Sequence, residues 1–339
     1  RSYALACCRQ VCKQNENHHT MKRVFKILGI LIGLGVLVLA GGATYIHTAG
    51  IPTYEVKAPE LKVTADSAML AEGKRLATMV CNQCHMAASG KLEGQEMLDL
   101  PAAFGKAWSA NITRDEKYGA GRYTDGELAY LIRTGIKRDG NYAPPWMPKF
   151  PHLSDYDLHS VIAYLRSDAP ELAPVPKAQP PCQPSFLAKF LSYVAFKPLP
   201  YPTAPITAPP ATDKVAFGKY IATSKVECYG CHSPSFETQN IMEPEKTPGY
   251  FSGGNAMPNM EGEIILTRNL TPDKTTGIGN WTEEQFIKAV RFGQRDGKPA
   301  LRYPMVPYAA MTEEEASALW AYLQTIPAIS HDVDAIQSK

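Results

Sequence analysis

The chain has 339 residues, 45% of them hydrophobic and 20% charged, and a formal net charge of +2. Residues 1–20 carry three positive charges and one negative, and residues 21–54 three positive, which leaves the remainder mildly acidic at −3. That remainder has no basic footprint for nucleic acid.

In chain order, residues 1–20 differ in character from the rest of the chain, with no Met and with Cys7, Cys8 and Cys12 close together. Met21-Lys22-Arg23-Val24-Phe25-Lys26 reads as a natural start, so residues 1–20 read as an upstream leader or a non-native extension. Ile27 to Ile46 is a run of 20 uncharged, mostly apolar residues. As a helix rising about 1.5 Å per residue it spans about 30 Å, the hydrocarbon thickness of a bilayer. Lys22, Arg23 and Lys26 flank one side and keep it cytoplasmic. Residues 21–46 therefore read as a membrane anchor, residues 47–66 as a linker, and the rest as exported to the periplasm of a bacterial cytoplasmic membrane. A cleaved signal peptide is the rival, although its apolar region would be shorter and Ala40-Gly41-Gly42 is a mediocre cleavage site.

Two copies of one pentapeptide then appear, Cys81-Asn82-Gln83-Cys84-His85 and Cys228-Tyr229-Gly230-Cys231-His232. C-x-x-C-H is the attachment signature of c-type haem. Both thiols add to the vinyl groups, and the adjacent His85 or His232 becomes an axial iron ligand. C-x-x-C pairs also build zinc sites and thioredoxin-like centres. Here the pairs are 147 residues apart, and a histidine comes directly after both.

The surrounding sequence repeats at a single offset of 158 residues. Asn111-Ile112-Thr113-Arg114-Asp115 matches Asn269-Leu270-Thr271-Pro272-Asp273, Arg133 and Gly135 match Arg291 and Gly293, and Tyr164-Leu165 matches Tyr322-Leu323. A repeat of this length reads as a duplication. It also selects two of the 11 methionines. Met147, in Pro144-Pro145-Trp146-Met147-Pro148, aligns with Met305, in Tyr303-Pro304-Met305-Val306-Pro307. His and Met are a common axial pair. Met311 falls opposite Leu153, a core position. Met257 and Met260 lie in a stretch that is 11 residues longer in the second copy than in the first.

Each copy predicts the same helical plan with few strand signals, an all-α chain. A helix precedes each haem motif, Ser67 to Val80 and about Lys214 to Ser224. A middle helix starts at the capping boxes Thr124 to Glu127 and Thr282 to Gln285. A final helix starts at Ser154 and at Thr312. Arg133 and Arg291 sit in the middle helices, facing either haem propionates or solvent. Residues 67–168 and 213–339 read as two domains of ordinary size. Residues 169–212, with 12 prolines, read as an extended connector. It encloses a short apolar segment, Phe186 to Phe196, expected to pack on the domains or touch the membrane. Cys182 reads as a buried free thiol or as an intermolecular bridge.

The Asn-x-Thr-x-Asp, Gly-x-Gly-x-Trp-Thr, Pro-x-Met-Pro-like and Ala-Tyr-Leu elements resemble those of membrane-bound periplasmic multihaem cytochromes c, including the cytochrome subunits of bacterial alcohol and gluconate dehydrogenases. The resemblance covers about residues 67–327. It implies a class I cytochrome c fold in each of two tandem domains and two covalently bound haem c groups. Cys81, Cys84, Cys228 and Cys231 would be the thioether anchors, His85 and His232 the proximal ligands, and Met147 and Met305 the distal ligands. It further implies single-electron transfer with redox partner proteins: a dehydrogenase, a quinol-oxidising complex or a terminal oxidase. Those dehydrogenase subunits usually carry three haems and this chain carries two signatures, so a free-standing carrier and a complex subunit both fit. A dihaem peroxidase is the enzymatic alternative, against which two Met-capped irons argue.

Overall fold

The computed structural model describes residues 2–143 and 146–337, with the side chains of residues 2–20 and 22 outside the description. It divides into two units, one ending at Ile51 and the other running from Pro52. The first unit is one helix, α1 (Ser2–Ala49). Its Arg23–Ala49 stretch is long and apolar enough to cross a membrane, with a mean hydropathy of 2.5, properties that a span and a signal sequence share. The helical backbone runs through residues 20 and 21 without a break, so the change in sequence character there is not a change of local structure.

From Pro52 the chain is helix-rich. α2 (Ser67–Leu76) starts where the Asp66 carboxylate accepts from the Met69 N–H, then continues into a π-helical turn, Ala77–Cys81, and α3 (Asn82–His85). α4 (Asp125–Thr134), α5 (Asp155–Arg166) and α6 (Phe186–Val194) come next. The second copy repeats the order. α7 (Lys214–Tyr220) leads through a π-helical turn, Ile221–Lys225, into α8 (Cys228–His232), then α9 (Glu283–Phe292), α10 (Glu313–Leu323) and the terminal α11 (Val333–Gln337). Both expected capping boxes form, Thr124 with Glu127 and Thr282 with Gln285, and a third joins Thr312 to Glu315. Each satisfies N–H groups that a helix start otherwise leaves open.

Two helix crossings build the core, α2 on α5 and α7 on α10. The crossings are close because a glycine sits at each. A Cβ on Gly73 would lie 1.8 Å from the Ser160 carbonyl oxygen, and one on Gly218 would lie 1.9 Å from that of Ala318. Leu158, Ile162 and Leu165 bury the inner face of α5. Met311 and Leu153 are both in the core, at 1% and 4% exposure.

The all-α expectation holds for this frame but not throughout. β1 (Gly105–Lys106) pairs antiparallel with β2 (Gln183–Pro184), and β3 (Ala256–Pro258) with β4 (Ile264–Leu266). The second pair is a hairpin within the longer stretch of the second copy. It is only three residues deep, too short to show a period-2 pattern. The connector packs rather than extends freely: the Asp155 N–H donates to the Ile206 carbonyl at 2.8 Å and the Leu199 N–H to that of Thr134 at 3.1 Å. Phe186, Leu187 and Phe190 on α6 stay exposed. Cys182 is exposed, not buried, because it sits just before the edge-strand residues Gln183–Pro184; its thiol reaches the Trp108 carbonyl at 3.6 Å.

The two copies meet across buried charge. Lys225 Nζ lies 2.7 Å from Glu72, 2.8 Å from Glu315 and 3.7 Å from Asp157, and Arg75 bonds both glutamates. Burial alone would raise the Glu315 pKa, but Arg75 and Lys225 hold it down at about 2. A carboxyl whose folded pKa lies below its unfolded value stabilises the fold above that unfolded value and loses this contribution as pH falls through the folded one. The melting temperature should therefore drop between about pH 4.5 and pH 2. Glu315→Gln, which keeps the capping box, should flatten that part of the curve. Identical acid limbs in parent and variant would contradict the assignment.

Candidate haem sites

Cys81 ends the π-helical turn, and Cys84 and His85 sit just beyond it within α3. Cys228, Cys231 and His232 all lie on α8. Cysteines three apart on a helical turn share a face, so each pair presents both sulfurs to one side. None of the four is paired in a disulfide. Burial pushes the Cys81 and Cys228 thiols up to about 12 and those of Cys84 and Cys231 up to about 11. Among the described residues no three His, Cys, Asp or Glu side chains converge as a metal cluster, so the two pairs do not pool into one site.

The histidines are fixed identically. His85 Nδ1 lies 2.7 Å from the Ala110 carbonyl oxygen, and His232 Nδ1 lies 2.8 Å from that of Arg268. Residues 110 and 268 are the same position in the repeat. A carbonyl only accepts, so Nδ1 must carry the proton and Nε2 is left with its lone pair available to a metal. Burial lowers both imidazole pKa values.

The Asn-x-Thr motif explains why those carbonyls stand where they do. Asn111 Oδ1 accepts from the Thr113 N–H at 2.9 Å and hydroxyl at 2.6 Å, and Asn269 does the same with Thr271 at 2.9 and 2.7 Å. The turn so formed begins next to the carbonyl that each histidine grips. Asn111 and Asn269 are thus supporting residues whose signal in the sequence was the repeat itself.

Met147 and Cys81 line one apolar cavity, with Leu76, Val80, Ile132 and Phe150 around them. Pro144 and Pro145, part of the proline flank expected beside Met147, lie outside the described residues. Met305 lies in the chain between Tyr303 and Tyr308, whose hydroxyl pKa values burial raises, helped at Tyr303 by its hydrogen bond to Asp99. An apolar cavity, paired neutral thiols and a histidine with a free Nε2 fit a covalently attached haem.

Arg133 faces neither solvent nor an open site. It is 1% exposed and donates to the Pro151 carbonyl at 3.1 Å and to Asp155 at 2.6 Å. It braces the segment just beyond Met147. Arg291 pairs with Glu313, the repeat partner of Asp155, at 3.8 Å.

The copies also reach into each other. The Tyr303 hydroxyl donates to Asp99, His152 Nε2 meets the Ile241 carbonyl at 3.2 Å, and Arg75 donates to the Ala310 carbonyl at 3.3 Å. Lys149, lowered to about 7 by burial, feels the charge of Glu227, which burial raises to about 8.

Residues 68–165 match the family model described as cytochrome C oxidase, cbb3-type, subunit III. The chain is 28% identical over 281 residues to the cytochrome c subunit of the alcohol dehydrogenase (quinone) of Gluconacetobacter polyoxogenes, covering 78% of this chain and 57% of that one. It is 25% identical over 276 residues to the gluconate 2-dehydrogenase cytochrome c subunit of Pantoea cypripedii, covering 78% and 61%. It is 24% identical over 260 residues to a diheme cytochrome c-type protein of Cereibacter sphaeroides, covering 74% and 82%. The chain thus spans little more than half the length of the alcohol dehydrogenase subunit it matches. Residues 68–165 are thus similar to a cytochrome c domain, a kind of domain that holds haem c covalently, and the chain is similar to proteins that include the cytochrome c subunits of alcohol and gluconate dehydrogenases and a diheme cytochrome c.

Proposed function

We propose that this chain is a membrane-anchored dihaem cytochrome c that passes single electrons on the periplasmic side of a bacterial cytoplasmic membrane. Residues 67–168 and 213–339 form two tandem class I cytochrome c domains. Each would hold one haem, through Cys81 and Cys84 with His85 and Met147 as iron ligands, and through Cys228 and Cys231 with His232 and Met305 as iron ligands. The observation that carries the reading is the repeated hydrogen bond from each histidine Nδ1 to the carbonyl of residue 110 or 268. It prepares the same free nitrogen twice.

When bound, haem supplies a one-electron ferric/ferrous couple. The chain's own residues orient the imidazoles, present the sulfurs and exclude water with the apolar walls around Met147. With both sixth positions filled by methionine, the chain turns over no substrate by itself. The names of the relatives favour a dehydrogenase as donor, so a subunit role within a membrane-bound dehydrogenase complex is the companion reading. The acidic charge of the exported part suits docking to basic partner surfaces.

The test is made on protein matured with haem. Two covalent haems per chain, one-electron waves in a redox titration, feeble carbon monoxide binding and retention in membranes through a high-salt wash are expected. Rapid peroxide turnover after partial reduction, with one haem turning five-coordinate, would replace the carrier with a peroxidase. A soluble form beginning after Gly42 would replace the anchor with a signal peptide.

A further inference from the structure

The connector between the copies carries an apolar face that the fold leaves uncovered. α6 is nine residues long and turns Ala188 and Ser192 inward, where both are buried. Phe186, Leu187, Phe190 and Val194 are between 40% and 58% exposed. At about 3.6 residues per turn these four share one arc, opposite Ala188 and Ser192. The Phe186 and Phe190 rings stack along it with centroids 6.4 Å apart. One side of the helix is held by the body, and the other is just as apolar.

The surroundings of that face point to what covers it. From Leu172 to Thr212 the chain has Lys177, Lys189 and Lys197 and no Asp or Glu, although the haem-bearing part is acidic as a whole. Lys106 is exposed and pairs with Gln183, just ahead of α6. A flank of one sign suits anionic lipid headgroups. Just beyond α6, the Lys197 carbonyl accepts from the Tyr142 hydroxyl at 3.1 Å. The neighbouring Asn141 bridges to Thr53, and the Tyr54 N–H donates to the Gly140 carbonyl at 2.8 Å. The end of α6 is thus next to the residues by which the chain enters the body. Only Gly50 and Ile51 separate Pro52 from the end of α1, a link that reaches about 10 Å. With α1 in the bilayer, the surface around Thr53 stays close to the headgroups.

We propose that α6 is a second membrane contact, lying in the bilayer surface with Phe186, Leu187, Phe190 and Val194 among the acyl chains and the flanking lysines at anionic headgroups. The proposal rests on the reading of α1 as a membrane anchor. Nine residues of helix cover about 14 Å, less than half the hydrocarbon thickness, so α6 lies along the bilayer and does not cross it. A single span leaves the body free to swivel about its link. A second contact, on a helix held by Ala188 and Ser192, fixes which side of the first copy faces the lipid.

The test uses the full-length, haem-loaded protein in vesicles of phosphatidylcholine and phosphatidylglycerol in equal parts, with a photoactivatable group on the acyl chains. Mass mapping should find label on α1 and on α6, and none on Phe236 or Ile264, similarly exposed apolar side chains of the second copy. Phe186→Gln, Phe190→Gln and Val194→Gln combined should lose the α6 label and keep the α1 label, both covalent haems and the parent's melting temperature. An unlabelled α6 beside a labelled α1 would overturn the proposal, and a dimer in detergent would then assign the face to a second copy. Equal label on α6, Phe236 and Ile264 would overturn it too, since that marks unspecific uptake. So would an α6 label that survives the triple substitution. If that variant yields no haem-loaded protein, the parent's label pattern alone decides. An unlabelled α1 would instead refute the anchor on which the proposal stands.

Discussion

Met147→Ala should abolish the sulfur-to-iron charge-transfer absorption of one haem and lower its potential by on the order of 0.1 V or more, and Met305→Ala should do the same to the other. On the proposed assignment haem content should stay at two in both, because Cys81, Cys84, Cys228 and Cys231 would make the thioether bonds. A thioether sulfur withdraws less readily from ferrous than from ferric iron, so its loss favours the oxidised state. The open sixth position should then bind carbon monoxide. Met311→Ala provides the control. Met311 is 1% exposed and packs in the core, so its truncation should cost about 2–5 kcal/mol of stability while the charge-transfer band persists. If Met311→Ala loses a band and Met305→Ala does not, the alignment of the second copy is wrong.

The second large effect comes from a single methyl group. Gly73→Ala and Gly218→Ala would each drive a Cβ to within 2 Å of a backbone carbonyl on the crossing helix, 1.8 Å at Ser160 and 1.9 Å at Ala318. A backbone oxygen has no rotamer to escape into, so the helices must part. Overpacking costs about 1–3 kcal/mol where side chains can give way, and here the cost should reach or exceed the top of that range. Against a total stability of about 5–15 kcal/mol, each variant should accumulate little haem-loaded protein and melt many degrees below the parent. The two should behave alike, since Ser160 and Ala318 occupy one position of the repeat. Melting temperatures equal to the parent's would show that these crossings have slack.

Neither glycine stood out in the sequence, whereas much else did. The capping boxes at Thr124 and Thr282 were legible because a cap depends on residues only three apart. Met311 was legible as core because its repeat partner is Leu153, and only a packing position accepts both. Crossing contacts between residues 87 and 100 apart leave no local trace, and so Gly73 and Gly218 read as ordinary helix glycines. The role of Asn111 and Asn269 was hidden for a related reason: the motif is local, but the histidine it serves lies 26 residues earlier in the first copy and 37 earlier in the second. Arg133 misled because an arginine on an amphipathic helix usually finds water. Here Asp155 and the Pro151 carbonyl take that place. Cys182 misled in the opposite direction, since a lone cysteine is more often buried than not.

The small exchanges between the copies, Tyr303 to Asp99, His152 to Ile241 and Lys225 to Glu72, bear on the history of the molecule. A freshly duplicated gene gives two interchangeable units, either of which can be lost or shuffled. Once a lysine of one unit neutralises Glu72 and Asp157 of the other, neither surface suits water any longer. The ancestral unit is then no longer a viable product of this gene. Divergence at position 225 works like a ratchet: it turned two spare parts into a single inherited object whose ends are no longer equivalent.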